Sequence, residues 1–388
     1  MTSFSRMSSR LTMPTSDVWR VHAEAVKRKS RGEDILLLSV GDPDFDTPRH
    51  ISDYVIAQIQ DGRTHYSPAA GEQELRDAIA KLETEGTGKP FHADQVVIFP
   101  GATAALYAVF ECILNEGDGV VVPEPMYVGY QGVFDAIGAD VQHVPLAPPA
   151  FDLDVQAVMD RVEPNTKAVL VNTPGNPCGN IIESEKLTAL ANACREREIW
   201  LICDEVYSLI TFDEPHVSML KSTDDFSNIV VIDGLSKSHA MSGWRVGWVI
   251  AEAPMIDALT RLASAALFGV CQFVQDGATF ALANDARDVE AMRLRYEARR
   301  NYAIERLDGI PGLSYYKPKA GMFIMIDVSG VANDGASFSE RLLQEAGIST
   351  VAGNGFGPTA LNYVRMSLTL GRAGLNDAFD RIEKMLQT

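Results

Sequence analysis

Lys167-Ala-Val-Leu-Val-Asn172, Ile199-Trp-Leu-Ile-Cys203 and Ile229-Val-Val-Ile232 are three short runs that decide the fold. Each is rich in Val and Ile and apolar at consecutive positions, the pattern of strands buried on both faces of a parallel sheet. The same texture extends outward to Gln95–Phe99, Gly119–Val122 and Val246–Ala251. Ala102–Asn115, Tyr127–Ile137 and Ser184–Glu198 carry apolar residues at three- and four-residue spacing and are expected to be helices. Alternating strands and helices predict a doubly wound α/β domain with its site at the carboxyl ends of the strands.

Beyond residue 280 the pattern changes. A long helix rich in Arg and acids is expected at Ala286–Leu307, followed by strands Gly312–Tyr316, Met322–Asp327 and Tyr363–Ser367 and helices Phe338–Glu345 and Leu375–Leu386. This describes a smaller α+β domain over 286–388, after a large domain over 46–285. Residues 1–45 are expected to pack on the small domain, with a helix at Asp17–Arg28 and a short flexible start over residues 1–16.

Composition narrows the function classes. The 388 residues are 46% hydrophobic and 22% charged, so the chain can bury a full core. Its net charge of −18 repels phosphate backbones and anionic lipids, which argues against nucleic-acid and membrane-surface partners. No apolar run is long enough to span a bilayer. Five scattered cysteines (Cys112, Cys178, Cys194, Cys203 and Cys271) form no CxxC pair, and the seven histidines form no HExxH. Reduced thiols in the cytoplasm are expected, with no metal site.

The most specific stretch is Gly234-Leu-Ser236-Lys237-Ser-His-Ala-Met-Ser-Gly-Trp-Arg245-Val-Gly247. A lysine directly after a buried strand has the protected, fixed position that a nucleophilic amine requires. Asp204 ends another apolar run, in Cys-Asp204-Glu-Val-Tyr207, and alone reads equally well as a helix cap. Phe-Pro-Gly101-Ala102-Thr103 opens a helix after a strand, where free N–H groups favour an anion. Asn172-Thr-Pro-Gly-Asn176-Pro-Cys-Gly179 is a sharp turn after a strand. Gly353-Asn-Gly355-Phe-Gly357 lacks dinucleotide spacing and reads as a turn.

The lysine segment resembles, at every defined position, the lysine-site signature of the class I/II aminotransferases, pyridoxal 5′-phosphate enzymes of fold type I. Further motifs follow in order along nearly the whole chain. The resemblance implies a mostly parallel central sheet with helices on both faces and a smaller α+β domain. It implies Lys237 as the Schiff-base lysine and general base, Asp204 as the acid beside the ring nitrogen, and Tyr207 and Asn176 as donors to the ring oxygen. Tyr127 would stack on the ring. Gly101, Ala102, Thr103, Ser236 and Arg245 would hold the phosphate, joined by Tyr66 from a neighbouring subunit of a homodimer with shared sites. Arg365 and the Gly41 loop would hold the substrate carboxylate. Two positions depart from the family pattern: Cys178 stands where Thr is usual, and Gly234 where many relatives have a phosphate-binding Ser. Tyr130, on the same helix as Tyr127, reads as a core aromatic.

The expected reaction is transfer of an amino group between an L-amino acid and a 2-oxo acid. Carbon–sulfur lysis on the same fold is the alternative, and the aminotransferase-like sensor fused to a winged helix is disfavoured because no basic helix-turn-helix precedes Gly41. Trp19–His22, Leu36–Pro48, Glu124–Tyr130, Ser236–Val249 and Gln275–Asp276 resemble the arginine–pyruvate aminotransferase branch. A basic or neutral donor with pyruvate as acceptor is therefore expected. A guanidinium side chain requires a carboxylate partner, for which Asp17 or Glu24 should approach the pocket.

Overall fold

The computed structural model describes residues 4–11 and 17–387, without the side chains of Asp17 and Val18. Its centre is a seven-stranded sheet: β1 (Val96–Phe99), β2 (Gly119–Glu124), β3 (Asp140–Pro145), β4 (Thr166–Asn172), β5 (Trp200–Asp204), β6 (Ile229–Gly234) and β7 (Gly247–Ala251). In space the order is β1-β7-β6-β5-β4-β2-β3. All neighbours are parallel except β7, which runs antiparallel to β1 and β6.

Successive side chains leave a strand on opposite faces, and here both faces are covered. Val97, Phe99, Leu170, Ile202 and Ile232 enter one core with helices Ala102–Ile113 and Gly129–Ile137. Ile98, Val171, Cys203 and Val231 enter the other with helices Gln73–Thr87, Ser184–Glu196 and Gln272–Asn284. Strand β3 lies outside the predicted set. It sits at the sheet edge and keeps polar residues, so it never shows the continuous apolar signature.

A second, antiparallel sheet places Val351–Ala352, Tyr363–Ser367, Phe323–Asp327 and Ser314–Tyr316 side by side. Helix Arg372–Leu386 packs Leu375, Phe379 and Ile382 on Ile324, Ile326 and Val364. The helix expected at Phe338–Glu345 spans Gly335–Arg341 and continues as a wider π-helical turn over Leu342–Ala346. Helix Asp17–Ser30 packs beside this sheet through Val21 and Ala25, which meet Leu343. Leu36–Leu37 pairs in parallel with Ile348–Ser349.

One expectation for the start of the chain is corrected. Arg6–Arg10 is a short helix rather than a flexible lead. Arg10 donates to Asp135 O at 2.9 Å and Ala136 O at 3.1 Å, and pairs with Glu116 at 3.0 Å. A cation at the free carbonyls of the helix ending at Ile137 is a favourable use of the helix dipole. Of the described residues, none forms a helix long and apolar enough to cross a membrane.

Candidate active site

The site begins where β4, β5 and β6 end side by side. The register pairs Asn172 with Asp204 and Asp204 with Ile232. Lys237 follows on the single turn Leu235–Ser238. One cleft over these ends is lined by Gly41, Ala102, Thr103, Tyr127, Asn176, Asp204, Tyr207, Ser236, Lys237, Arg245 and Arg365.

Asp204 is buried, 8% exposed, at the bottom of this cleft. Tyr130 Oη donates to its Oδ2 at 2.5 Å and the Val206 N–H to its Oδ1 at 3.3 Å. Burial raises its carboxyl to about 6, against the opposing pull of these donors. Asp204 can therefore hold a cationic ring nitrogen, because a positive partner would restore the charged form that burial disfavours. Tyr130 is the residue that sequence reasoning missed. It does sit in the core, 3% exposed, but its hydroxyl also bonds the key acid.

Lys237 Nζ donates to Gly41 O at 2.8 Å. Burial lowers the pKa of its ammonium, the Asp42 charge opposes this, and the Arg365 and Arg245 charges reinforce it. The result is an amine made easier to use as a base or nucleophile. Asn176 Nδ2 donates to Tyr207 Oη at 3.3 Å, and burial pushes the Tyr207 hydroxyl above its ordinary range.

Arg365 is 2% exposed on strand Tyr363–Ser367. Its Nη1 donates to Asn176 Oδ1 at 2.9 Å and its Nη2 to Ser39 O at 2.7 Å. The guanidinium lies over the Phe356 ring at 5.1 Å and the Phe323 ring at 5.5 Å. Two bonds from its Nη atoms leave other N–H groups of the guanidinium unused, so this cation, which lines the cleft, retains donors for an anionic ligand.

At the start of helix Ala102–Ile113, Gly101 holds a left-handed φ of 91°. A Cβ there would come within 2.3 Å of Arg245 Nη2, so glycine lets the guanidinium reach the helix start. Arg245 is positioned by bonds to Ser242 O at 2.8 Å and Pro100 O at 3.3 Å. A helix start, an arginine and Ser236 thus line one cleft, and such donors could hold a phosphate. Gly234 lines the cleft, and a side chain there would meet Val246 O at 2.8 Å. Glycine at this position thus keeps β6 close to β7. These phosphate-binding groups, the buried acid, the lysine amine and the Tyr207–Asn176 pair together fit pyridoxal 5′-phosphate.

Tyr66 is not in this cleft. It is 85% exposed and faces Phe268, with ring centroids 5.9 Å apart. Trp19, Val40 and Asp42 also line it; the stretches Trp19–His22 and Leu36–Pro48 stand out in the sequence, but these three residues carry no assigned role there. The expectation for Glu24 is corrected: it lies 3.8 Å from Lys27 on its own helix and does not line the cleft. The Asp17 side chain falls outside the described residues. Asp42 is the carboxylate present instead, because the chain after the Leu36–Leu37 strand crosses the cleft mouth.

A family model described as aminotransferase class I and II matches residues 33–382. The chain is 41% identical over 380 residues to the arginine–pyruvate transaminase of Pseudomonas aeruginosa, covering 98% of this chain and 97% of that protein. It is 32% identical to the aspartate aminotransferase of Pyrococcus horikoshii, covering 94% of each. Among solved structures, the aspartate aminotransferase of Thermus thermophilus with maleate superposes with a TM-score of 0.93. That match has 30% identity and covers 99% of this chain and 100% of that one.

Proposed function

The chain belongs to the class I and II aminotransferases, and from that premise we propose that its donor is a basic or neutral L-amino acid, arginine foremost, with a short 2-oxo acid such as pyruvate as acceptor. The reaction class is amino-group transfer, and the cofactor is pyridoxal 5′-phosphate. When bound, that cofactor supplies an aldehyde for the amino group and a ring that accepts the electron pair left at the α-carbon.

The chain's own residues do the rest. Lys237 Nζ takes the α-proton and returns it, a role supported by its burial and lowered basicity. Asp204, with Tyr130 behind it, keeps a proton on the ring nitrogen. Tyr207 and Asn176 donate to the ring oxygen, and Tyr127 stacks on the ring. Ala102, Thr103, Ser236 and Arg245 bind the phosphate, with Gly101 giving Arg245 its approach. Arg365 takes the substrate carboxylate against the Gly41 backbone and thereby fixes the α-carbon near Lys237. We assign 46–285 to a cofactor-binding domain and 286–388 to a smaller one, with 1–45 on the latter. We also propose a cytoplasmic homodimer, consistent with five free cysteines and with an exposed Tyr66 available to a partner's phosphate site.

The observation that carries the donor assignment is the 41% identity to an arginine–pyruvate transaminase. The cleft adds that Asp42 stands at its mouth and that its lining arginines are the two already assigned, Arg245 and Arg365. A donor panel with pyruvate tests it. Arginine should give the highest kcat/KM, with oxo acid and alanine formed in equal amounts. Aspartate or an aromatic donor faster by about tenfold overturns the donor assignment, and ammonia release without alanine overturns the transfer.

A further inference from the structure

A second cluster lies behind the lysine turn. Asp285 joins helix Gln272–Asn284 to helix Ala286–Asp308, and Asp288 stands in the first turn of the latter. His50 is the second residue of helix Arg49–Gln60. Its Nε2 lies 3.2 Å from Asp285 Oδ1, and its Nδ1 lies 4.0 Å from Asp288 Oδ2. One ligand atom from each of the three falls within 4.8 Å of the others.

Asp285 is the unusual member. Its side chain is 0% exposed, yet neither carboxylate oxygen has a hydrogen-bond partner. The ordinary use of an aspartate before a helix is to accept from the first-turn N–H groups, and Asp285 makes no such cap bond. Burying a carboxylate without donors is costly, so a proton or a cation must compensate it. Apart from His50 itself, 3.2 Å away, the nearby cations have other contacts: Arg49 is 3.5 Å from Asp53, and Arg295 lies over the Phe45 ring.

We propose that His50, Asp285 and Asp288 form a binding site for one divalent transition cation of the zinc or manganese class. One imidazole and two carboxylates are the donors such ions accept, and three protein ligands leave a position for water. His50 and Asp288 are partly exposed, at 42% and 55% of their side chains, which gives an ion an entry path to buried Asp285. The same cavity is lined by Ser238, His239 and Ala240, the three residues after Lys237. A bound ion would clamp the start of helix Arg49–Gln60 to the helix junction against that segment.

Titrating zinc alone into chelator-treated holoenzyme, in a buffer without phosphate, tests the proposal. Calorimetry should give one saturable site per chain, and zinc should raise the Tm. Asp288→Ala, on the exposed side and safe for folding, and His50→Ala should each weaken zinc by about tenfold or more and remove the Tm rise. No saturable uptake at millimolar zinc overturns the site, as does uptake that both variants leave unchanged.

Discussion

The floor of the cleft and its rim are built by different means. On the floor, Asn172, Asp204 and Lys237 follow from three adjacent strand ends whose register is fixed by the ladder and by two apolar cores. On the rim, Trp19, Val40 and Asp42 come from the N-terminal segment, which reaches the site by crossing from the smaller sheet. A rigid floor suits proton transfer, where a small misplacement is costly. The rim decides which side chain fits, and it can vary without disturbing the chemistry. Substitutions in the two regions should therefore fail differently: floor changes should affect every donor, and rim changes should re-rank donors.

Short of removing Lys237, the largest effect is expected at Arg365. Arg365→Ala removes a charge-assisted clamp worth on the order of 2–5 kcal/mol, roughly 30- to several-thousand-fold in kcat/KM. The loss should be similar for all α-amino acids while cofactor absorbance is retained. A donor-dependent loss would blur the division between floor and rim.

Asp204 gives a stability test in the cofactor-free protein. Its carboxyl rises from an ordinary 3.8 to about 6 on folding, so the native state holds more protons and stability falls as pH rises through that window. That gap is worth about 3 kcal/mol. Asp204→Asn should therefore be nearly neutral at pH 4 and stabilising by an amount of this order at pH 8, read from denaturant unfolding. Equal effects at both pH values would show that the carboxyl is not desolvated.

Tyr130→Phe removes one hydrogen bond to that carboxylate and leaves the core ring. A bond to a charged group is worth about 1.5–3 kcal/mol, so kcat should fall by roughly 10- to 150-fold for all donors. At the rim, Asp42→Asn should cost arginine only about two- to fivefold relative to alanine, the scale of an exposed charge pair. An equal loss for both donors would assign Asp42 to Lys237 rather than to the substrate side chain.

Legibility in the sequence follows the same division. Strands buried on both faces announce themselves as apolar runs, and their ends locate Asp204 and Lys237. Edge strand β3 mixes two valines with Asp140, Gln142 and His143 in no regular period and carries no such signal. Tyr130 meets an acid 74 positions away, and nothing in local spacing separates that role from core packing. Asp42 sits in a stretch visible as a motif, but its position at the mouth depends on how the segment lies across the cleft. The acid expected there on charge grounds was sought at Asp17 or Glu24, on the opening helix, and Glu24 lies outside the lining. The His50, Asp285 and Asp288 cluster draws on two parts of the chain more than 200 residues apart. His50 stands alone in its stretch, and an Asp285/Asp288 pair three residues apart is too common to read as ligand spacing.

Every role assigned in the cleft depends on Lys237 being the residue joined to the cofactor. Reducing the holoenzyme with borohydride and mapping the modified peptide by mass spectrometry tests this directly. A single pyridoxyl adduct is expected on the peptide containing Lys237, with no adduct and no turnover in Lys237→Ala. An adduct on another lysine, or turnover that survives in Lys237→Ala, would contradict it.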